Sequence, residues 1–148
     1  MQIRPATAED IPALAALEKH AATAAHWSLD QYTAVFSVTE PARIALVIEY
    51  ESCVQGFLIA RSAGREWEIE NIAVAAPARR RGWGTRLLSE FLDLARAKAA
   101  EAVFLEVRES NRAARGLYEK WAFIESGRRK RYYRDPEEDA VTYRLVFT

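Results

Sequence analysis

Cysteine is nearly absent: Cys53 is the one thiol in 148 residues, so no internal disulfide can form. That fits a reducing compartment. Cys53 stands in the apolar run "CVQGFLIA" with no metal-ligand pattern around it, and is read as a small buried core residue rather than a nucleophile. Net charge is absent as well. Twenty-one basic residues balance twenty-one acidic ones, which removes any global field favouring nucleic acid or membrane. No apolar run approaches membrane-spanning length, and the N-terminus "MQIRPATAED" lacks an apolar signal core. His20 and His26 have no ligand-like spacing, so no metal is expected. Repeats, low-complexity tracts and linkers are missing too. The expectation is one soluble cytoplasmic domain, residues 1–148, acting as a monomer or weak homodimer with no nucleic-acid or membrane partner.

What is present is half hydrophobic, enough for a real core. "QIRPA" reads as a short strand. A helix follows from Thr7, a candidate N-cap with Asp10 three residues on, and Ile11, Leu14, Ala15 and Leu17 give helical spacing. "SLDQYTAVFS" reads as a second helix capped by Ser28. "RIALVIEY" and "CVQGFLIARSA" are strands joined in a hairpin near Glu51-Ser52, and "REWEIENIAVA" is a third. A helix from about Thr85 to Ala100 places Leu87, Leu88, Phe91, Leu92, Ala95 and Ala99 on one face. "AVFLEVRE" is a strand. "NRAARGLYEKWAF" is a helix with Ala114, Leu117, Tyr118 and Trp121 on one stripe. "GRRKRYYRD" and "AVTYRLVF" are the last strands, with Asp135-Pro136 between them. A helix joining two strands favours a parallel pair. The expected fold is α/β (α+β): a mixed, mostly antiparallel twisted sheet of six to seven strands with about four helices on its faces.

The basic residues are unevenly placed despite the balance, at Arg79–Arg81 and again at 128–131. In "NIAVAAPARRRGWGTRLL" a strand runs through Pro77 and the arginine triplet into Gly-Trp-Gly and a helix start. Helix N-termini carry unpaired N–H groups and the positive end of a dipole. Gly82 and Gly84 allow close backbone approach, and arginines add bidentate donors. The stretch is a plausible pyrophosphate cradle. A Walker loop is excluded, because G-x-x-x-x-G-K-[ST] does not occur. A dinucleotide fingerprint is excluded, because Leu87 stands where the third glycine belongs. A solvated arginine loop and a nucleic-acid patch remain alternatives on this chemistry.

The same residues resemble the coenzyme A loop of the GNAT superfamily of N-acetyltransferases, Gln/Arg-x-x-Gly-x-Gly/Ala, with Arg79, Gly82 and Gly84 in its fixed places. The later stretches "LEVRESNRAARGLYEKWAF" and "RRKRYYRDPEEDAVTYRL" are similar to the RimI-type branch, the ribosomal-protein-alanine N-acetyltransferases. The resemblance covers residues 67–145 well and the N-terminal half loosely, apart from Trp27-Ser28. It implies that acetyl-CoA is the cosubstrate, with no metal. It implies that Arg79, Arg80, Arg81, Gly82, Trp83, Gly84 and Thr85 wrap its pyrophosphate. Ile72, Ala73 and Val74 would pair with the pantetheine arm, and Asn111 would contact it. It also implies a protein or peptide N-terminus as acceptor, a ribosomal protein being the leading case.

Acetyl transfer from a thioester to an amine needs a neutral amine, a donor for the oxyanion and a proton for the leaving thiolate. An α-amine with a pKa near ~7.8 costs ~1 kcal/mol to deprotonate at pH 7, against ~4.6 kcal/mol for a lysine near ~10.4. A carboxylate base suffices for the former. By resemblance Glu106 of "LEVR" is that base, and alternation places it with Phe104 and Arg108, opposite Leu105 and Val107. By the same resemblance Tyr118 of "LYE" is the general acid, and Val74 N–H the oxyanion donor. Rival carboxylates stand at Glu66, Glu68 and Glu70, on one face of the strand that enters the loop; Glu70 is also a candidate for substrate binding. Tyr132 and Tyr133 are expected beside the acceptor. The chain departs from the family at Trp121-Ala122, where Leu-Gly is common. Trp83 fills the loop's variable place. A small-molecule amine acceptor, or a coenzyme A-binding sensor without turnover, are the alternative readings.

Overall fold

A computed structural model of the chain describes residues 1–20, 26–37, 40–75 and 81–148. Seven strands, β1 (Gln2–Pro5), β2 (Arg43–Tyr50), β3 (Cys53–Ala63), β4 (Glu66–Val74), β5 (Ala102–Arg108), β6 (Ile124–Tyr133) and β7 (Glu138–Val146), lie in one sheet in the order β1-β2-β3-β4-β5-β7-β6. Four α-helices accompany them: α1 (Ile11–Lys19), α2 (Leu29–Val35), α3 (Trp83–Ala97) and α4 (Arg112–Lys120). Among the described residues only β4 and β5 pair in parallel, joined through α3 as a crossover. The mixed, mostly antiparallel sheet matches the expectation from sequence.

Strand alternation splits the interior into two cores. Ile44, Leu46 and Ile48 of β2 and Leu58 and Ala60 of β3 face α3 and α4. The intervening Val47, Phe57 and Ile59 face Leu14 of α1 and Tyr32 and Val35 of α2. The helices therefore sit on opposite faces, each burying one apolar stripe. The first two are set by their entries. Thr7 and Asp10 form a capping box ahead of α1, and Ser28 and Gln31 form another at α2. The β2–β3 hairpin turns on Glu51 and Ser52, both at positive φ, as a two-residue primed turn requires.

Three sequence readings are corrected. Cys53 is exposed rather than part of the core, because it opens β3 at the hairpin mouth, opposite Tyr50. The third helix starts at Trp83, two residues early, and stops at Ala97. Ala99 adopts φ 60 beyond its end and is exposed. The β6 strand begins at Ile124, ahead of Gly127. No described helix is long and apolar enough to cross a membrane.

Candidate active site

The sheet opens where its parallel pair fails. β4 and β5 pair from Glu66↔Ala102 to Ile69↔Leu105 and no further, although β4 runs on to Val74 and β5 to Arg108. A bulge starts the separation: Asn71 and Ile69 oppose Ile59 and Ala60 of β3, leaving Glu70 as the extra residue. Bulges bend a strand and increase its twist. This one also switches faces. Trp67 and Ile69 pack on the α3/α4 side before it, as do Ile72 and Val74 after it, while Ala73 turns to the α1/α2 side.

A cleft of about 400 Å³ fills the gap. Its walls include Glu70, Ile72, Ala73 and Val74 of β4, and Glu106 of β5. Gly82, Gly84 and Thr85 come from the start of α3, Asn111 and Tyr118 from α4, and Tyr133 from β6. The fold thus gathers most of the sequence-derived site in one place. Tyr132 is outside, 51% exposed with Arg129 over its ring. The Trp83 side chain is buried in the core against Tyr50, and the Arg81 guanidinium lies 5.0 Å from the Tyr50 ring centre and 5.3 Å from that of Trp83. Arg79 and Arg80 lie outside the described residues.

Glu106 is the chemically unusual carboxylate. Its Oε2 is buried and no hydrogen bond reaches it; Arg129 Nε approaches to 3.4 Å without hydrogen-bond geometry. Burial raises its pKa above the ordinary carboxylate value, Arg129 opposes the shift and Glu68 adds to it. The rival carboxylates are all paired. Glu66 binds Arg144 at 2.7 Å, Glu68 binds Arg61 at 2.7 Å and Glu70 binds Arg43 at 3.0 Å. Guanidinium donors thus engage a carboxylate oxygen of each, whereas none hydrogen-bonds Glu106 Oε2.

Tyr118 is 3% exposed, its ring packed on Phe123 and Tyr143, and burial drives its phenol well above the usual range. The end of α4 holds it there. Phe123 N–H donates to Tyr118 C=O at 3.0 Å and Ala122 N–H to Glu119 C=O at 3.1 Å, with Ala122 at φ 71. That is a Schellman motif, whose usual apolar contact is the Tyr118–Phe123 ring pair 5.6 Å apart. The signature "LYE-x-x-x-F" is the sequence form of this motif. At the other end of α4, Asn111 accepts the Ala114 N–H at 3.1 Å.

The α3 entry is left open. Gly82 occupies the N-cap at φ 73, no side chain caps the helix, and its first turn holds no acidic residue. A Cβ on Gly84 would meet only Val74 Cγ2, at 3.6 Å. The first-turn N–H groups beside the splayed β4 suit an anion attached to an extended arm.

Residues 11–123 match the acetyltransferase (GNAT) family. The chain belongs to that family. Over 86 residues it is 43% identical to the N-alpha-acetyltransferase RimI of Mycobacterium tuberculosis, covering 58% of this chain and 52% of that protein. A putative [ribosomal protein bS18]-alanine N-acetyltransferase of Bacillus subtilis is 36% identical over 65% of this chain and 64% of its own length. Both matches span less than two thirds of those relatives. The [ribosomal protein bS18]-alanine N-acetyltransferase of Salmonella typhimurium is 32% identical over 82% of this chain and 88% of its own. The crystal structure of the ribosomal-protein-S18-alanine N-acetyltransferase from Escherichia coli superposes with a TM-score of 0.88 at 28% identity, covering 99% of this chain and 94% of that one.

Sequence reading passed over one polar residue of this GNAT cleft. Asn71 lines it and is 3% exposed. Its Nδ2 donates to Glu18 Oε1 at 3.2 Å and Tyr32 Oη at 3.3 Å, tying β4 to both N-terminal helices, while its Oδ1 has no partner. The bulge at Glu70 puts Asn71 on that face, and nothing in "EIENIAV" announces a bulge.

Proposed function

We propose that residues 1–148 form one cytoplasmic acetyltransferase domain that uses acetyl-CoA to acetylate a primary amine, the N-terminal α-amine of a protein. A ribosomal protein is the leading acceptor, since relatives with that printed activity align along most of the chain. The observation that carries the reading is the cleft itself, which sets the half-buried Glu106, whose buried Oε2 has no hydrogen bond, and a buried phenol, Tyr118, beside an uncapped helix start. The residues fit the cosubstrate. Gly82, Gly84 and Thr85 would receive the pyrophosphate, and the splayed edge at Ile72–Val74 would receive the pantetheine arm. Acetyl-CoA supplies the activated acetyl group.

The remaining chemistry belongs to the protein. Glu106 takes a proton from the acceptor ammonium, directly or through a water, and the neutral amine then attacks. The raised pKa of Glu106 strengthens it as a base, and an α-amine demands only ~1 kcal/mol of help at neutral pH. Tyr118 stays protonated throughout the working range and donates its proton to the departing thiolate. The test is a panel of peptides differing in the first residue, incubated with acetyl-CoA and followed by mass. Acetylation at the α-amine, led by an alanine- or serine-first peptide, is the expected result. Preference for free polyamines or aminoglycosides would overturn the acceptor, and binding of acetyl-CoA without transfer to any amine would overturn catalysis.

A further inference from the structure

Arg108 ends β5 on the face that carries Glu106, yet it is 7% exposed. A buried guanidinium must satisfy its donors, and every partner of Arg108 lies in one short stretch. Its Nη1 donates to Pro136 C=O at 3.1 Å and to Glu138 Oε2 at 3.3 Å, and its Nη2 to Arg134 C=O at 3.3 Å. Its Cζ lies 4.4 Å from the centre of the Tyr133 ring. One side chain thus grips the end of β6, the turn after it and the start of β7. Glu138 extends the grip to the other wall: its Oε1 accepts the Ser110 N–H at 2.9 Å and its Oε2 the Ser110 hydroxyl at 3.1 Å, one residue before the Asn111 cap.

We propose that Arg108 is a positioning residue for the acceptor, the clamp that holds Tyr133 and the β6–β7 turn against the mouth of the cleft. This rests on the acetyltransferase reading and adds to it the part that shapes the acceptor wall. The role is geometric. The charges that act on the Glu106 carboxyl are those of Arg129 and Glu68, while the Arg108 charge is taken up by Glu138. Lysine keeps a positive charge but cannot span two carbonyls, a carboxylate and a ring face from one planar fork.

Arg108→Lys is therefore the deciding variant, read in two ways. Acceptor-peptide KM should rise about tenfold to a hundredfold, the effect of losing charge-assisted hydrogen bonds. The dissociation constant for acetyl-CoA should stay within about twofold, as should kcat at saturating peptide. Independently of turnover, amide hydrogen exchange should accelerate across 133–138 and remain unchanged in 72–74 and 82–85. Tyr133→Leu should raise the same KM, and the double variant should be no worse than the poorer single one, because the two act as a unit. If Arg108→Lys does not fold, Glu138→Gln loosens the clamp from its other end and is read the same way. Unchanged exchange at 133–138 overturns the proposal, as does an acceptor KM that fails to move. A wild-type protein that acetylates no amine would sink the functional reading instead, and the exchange readout would still decide the clamp.

Discussion

At the scale of single residues the cleft is decided by what each carboxylate lacks. Glu106 has a buried oxygen that Arg129 approaches without a hydrogen bond, whereas Glu66, Glu68 and Glu70 each accept one from an arginine. Glu106→Gln should lower kcat by ~10²–10⁴, and Glu68→Gln or Glu70→Gln by far less; steady-state kinetics on the best peptide checks the ordering. The neighbours of Glu106 give a signed test. Arg129 lowers its pKa, so Arg129→Gln should move the acid limb of the kcat/KM profile to higher pH. Glu68 raises it, so Glu68→Gln should move the limb to lower pH. Alternation in "FLEVR" was enough to place Glu106 opposite the buried Leu105 and Val107. Its partner Arg129 was not legible. That contact depends on β6 lying at the edge beyond β7, with register shifts at Glu125/Gly127 and Arg129/Tyr133, and no local pattern encodes these.

At the scale of elements, the starts of the first two helices were readable, while the start and stop of α3 were not. Thr7-Asp10 and Ser28-Gln31 announce their helices through side chains that bond to backbone, Asp10 accepting the Thr7 N–H at 2.8 Å and Ser28 the Gln31 N–H at 3.2 Å. Helices α3 and α4 both end in Schellman motifs with alanine in the left-handed position, at Ala99 (φ 60) and Ala122 (φ 71). Without a glycine, the apolar pattern of α3 continues in sequence past the helix end, and Ala99 is read as part of the apolar face. Ala99→Gly and Ala122→Gly should each stabilise the protein by about 1 kcal/mol by relieving that conformation, measurable by urea unfolding. The two glycines of the loop should differ from one another. Gly82→Ala puts a Cβ within 4 Å of nothing among the described residues but at φ 73, and should cost about 1–2 kcal/mol of strain. Gly84→Ala meets Val74 at ordinary contact distance, and should leave stability nearly unchanged. This accounts for the family pattern's tolerance of alanine at the second place.

For the whole molecule, the stability curve should carry opposing carboxylate signatures. Asp10 lies below its usual pKa because the Arg4 guanidinium binds it, and Glu138 because Ser110 N–H and hydroxyl, then Arg108, bind it. Such groups stabilise the fold above their unfolded pKa near ~4, and that contribution is lost as pH falls through the lower folded value. Glu106 has the opposite sign. Its raised pKa means the fold prefers the protonated form, so the fold is destabilised as pH rises through that value. Glu106→Gln should therefore raise the melting temperature at neutral pH, and the gain should vanish in acid, as scanning calorimetry at two pH values would show. The element order and the mixed sheet could be read from hydrophobic periodicity, because the period of two and that of 3.6 are local. The bulge at Glu70, which tears β4 from β5 and swings Asn71 to the far face, arises from long-range pairing and left no trace in the chain.

That tear leaves two strand borders facing each other inside the sheet, each shielded on its outer side by a bonded neighbour. A border on the rim of a sheet can be met by another folded protein. One in the interior admits only what is narrow enough to slip between strands. The gap therefore sorts its visitors by cross-section before any side chain takes part, and threadlike molecules bearing amides have an advantage over compact ones of equal charge.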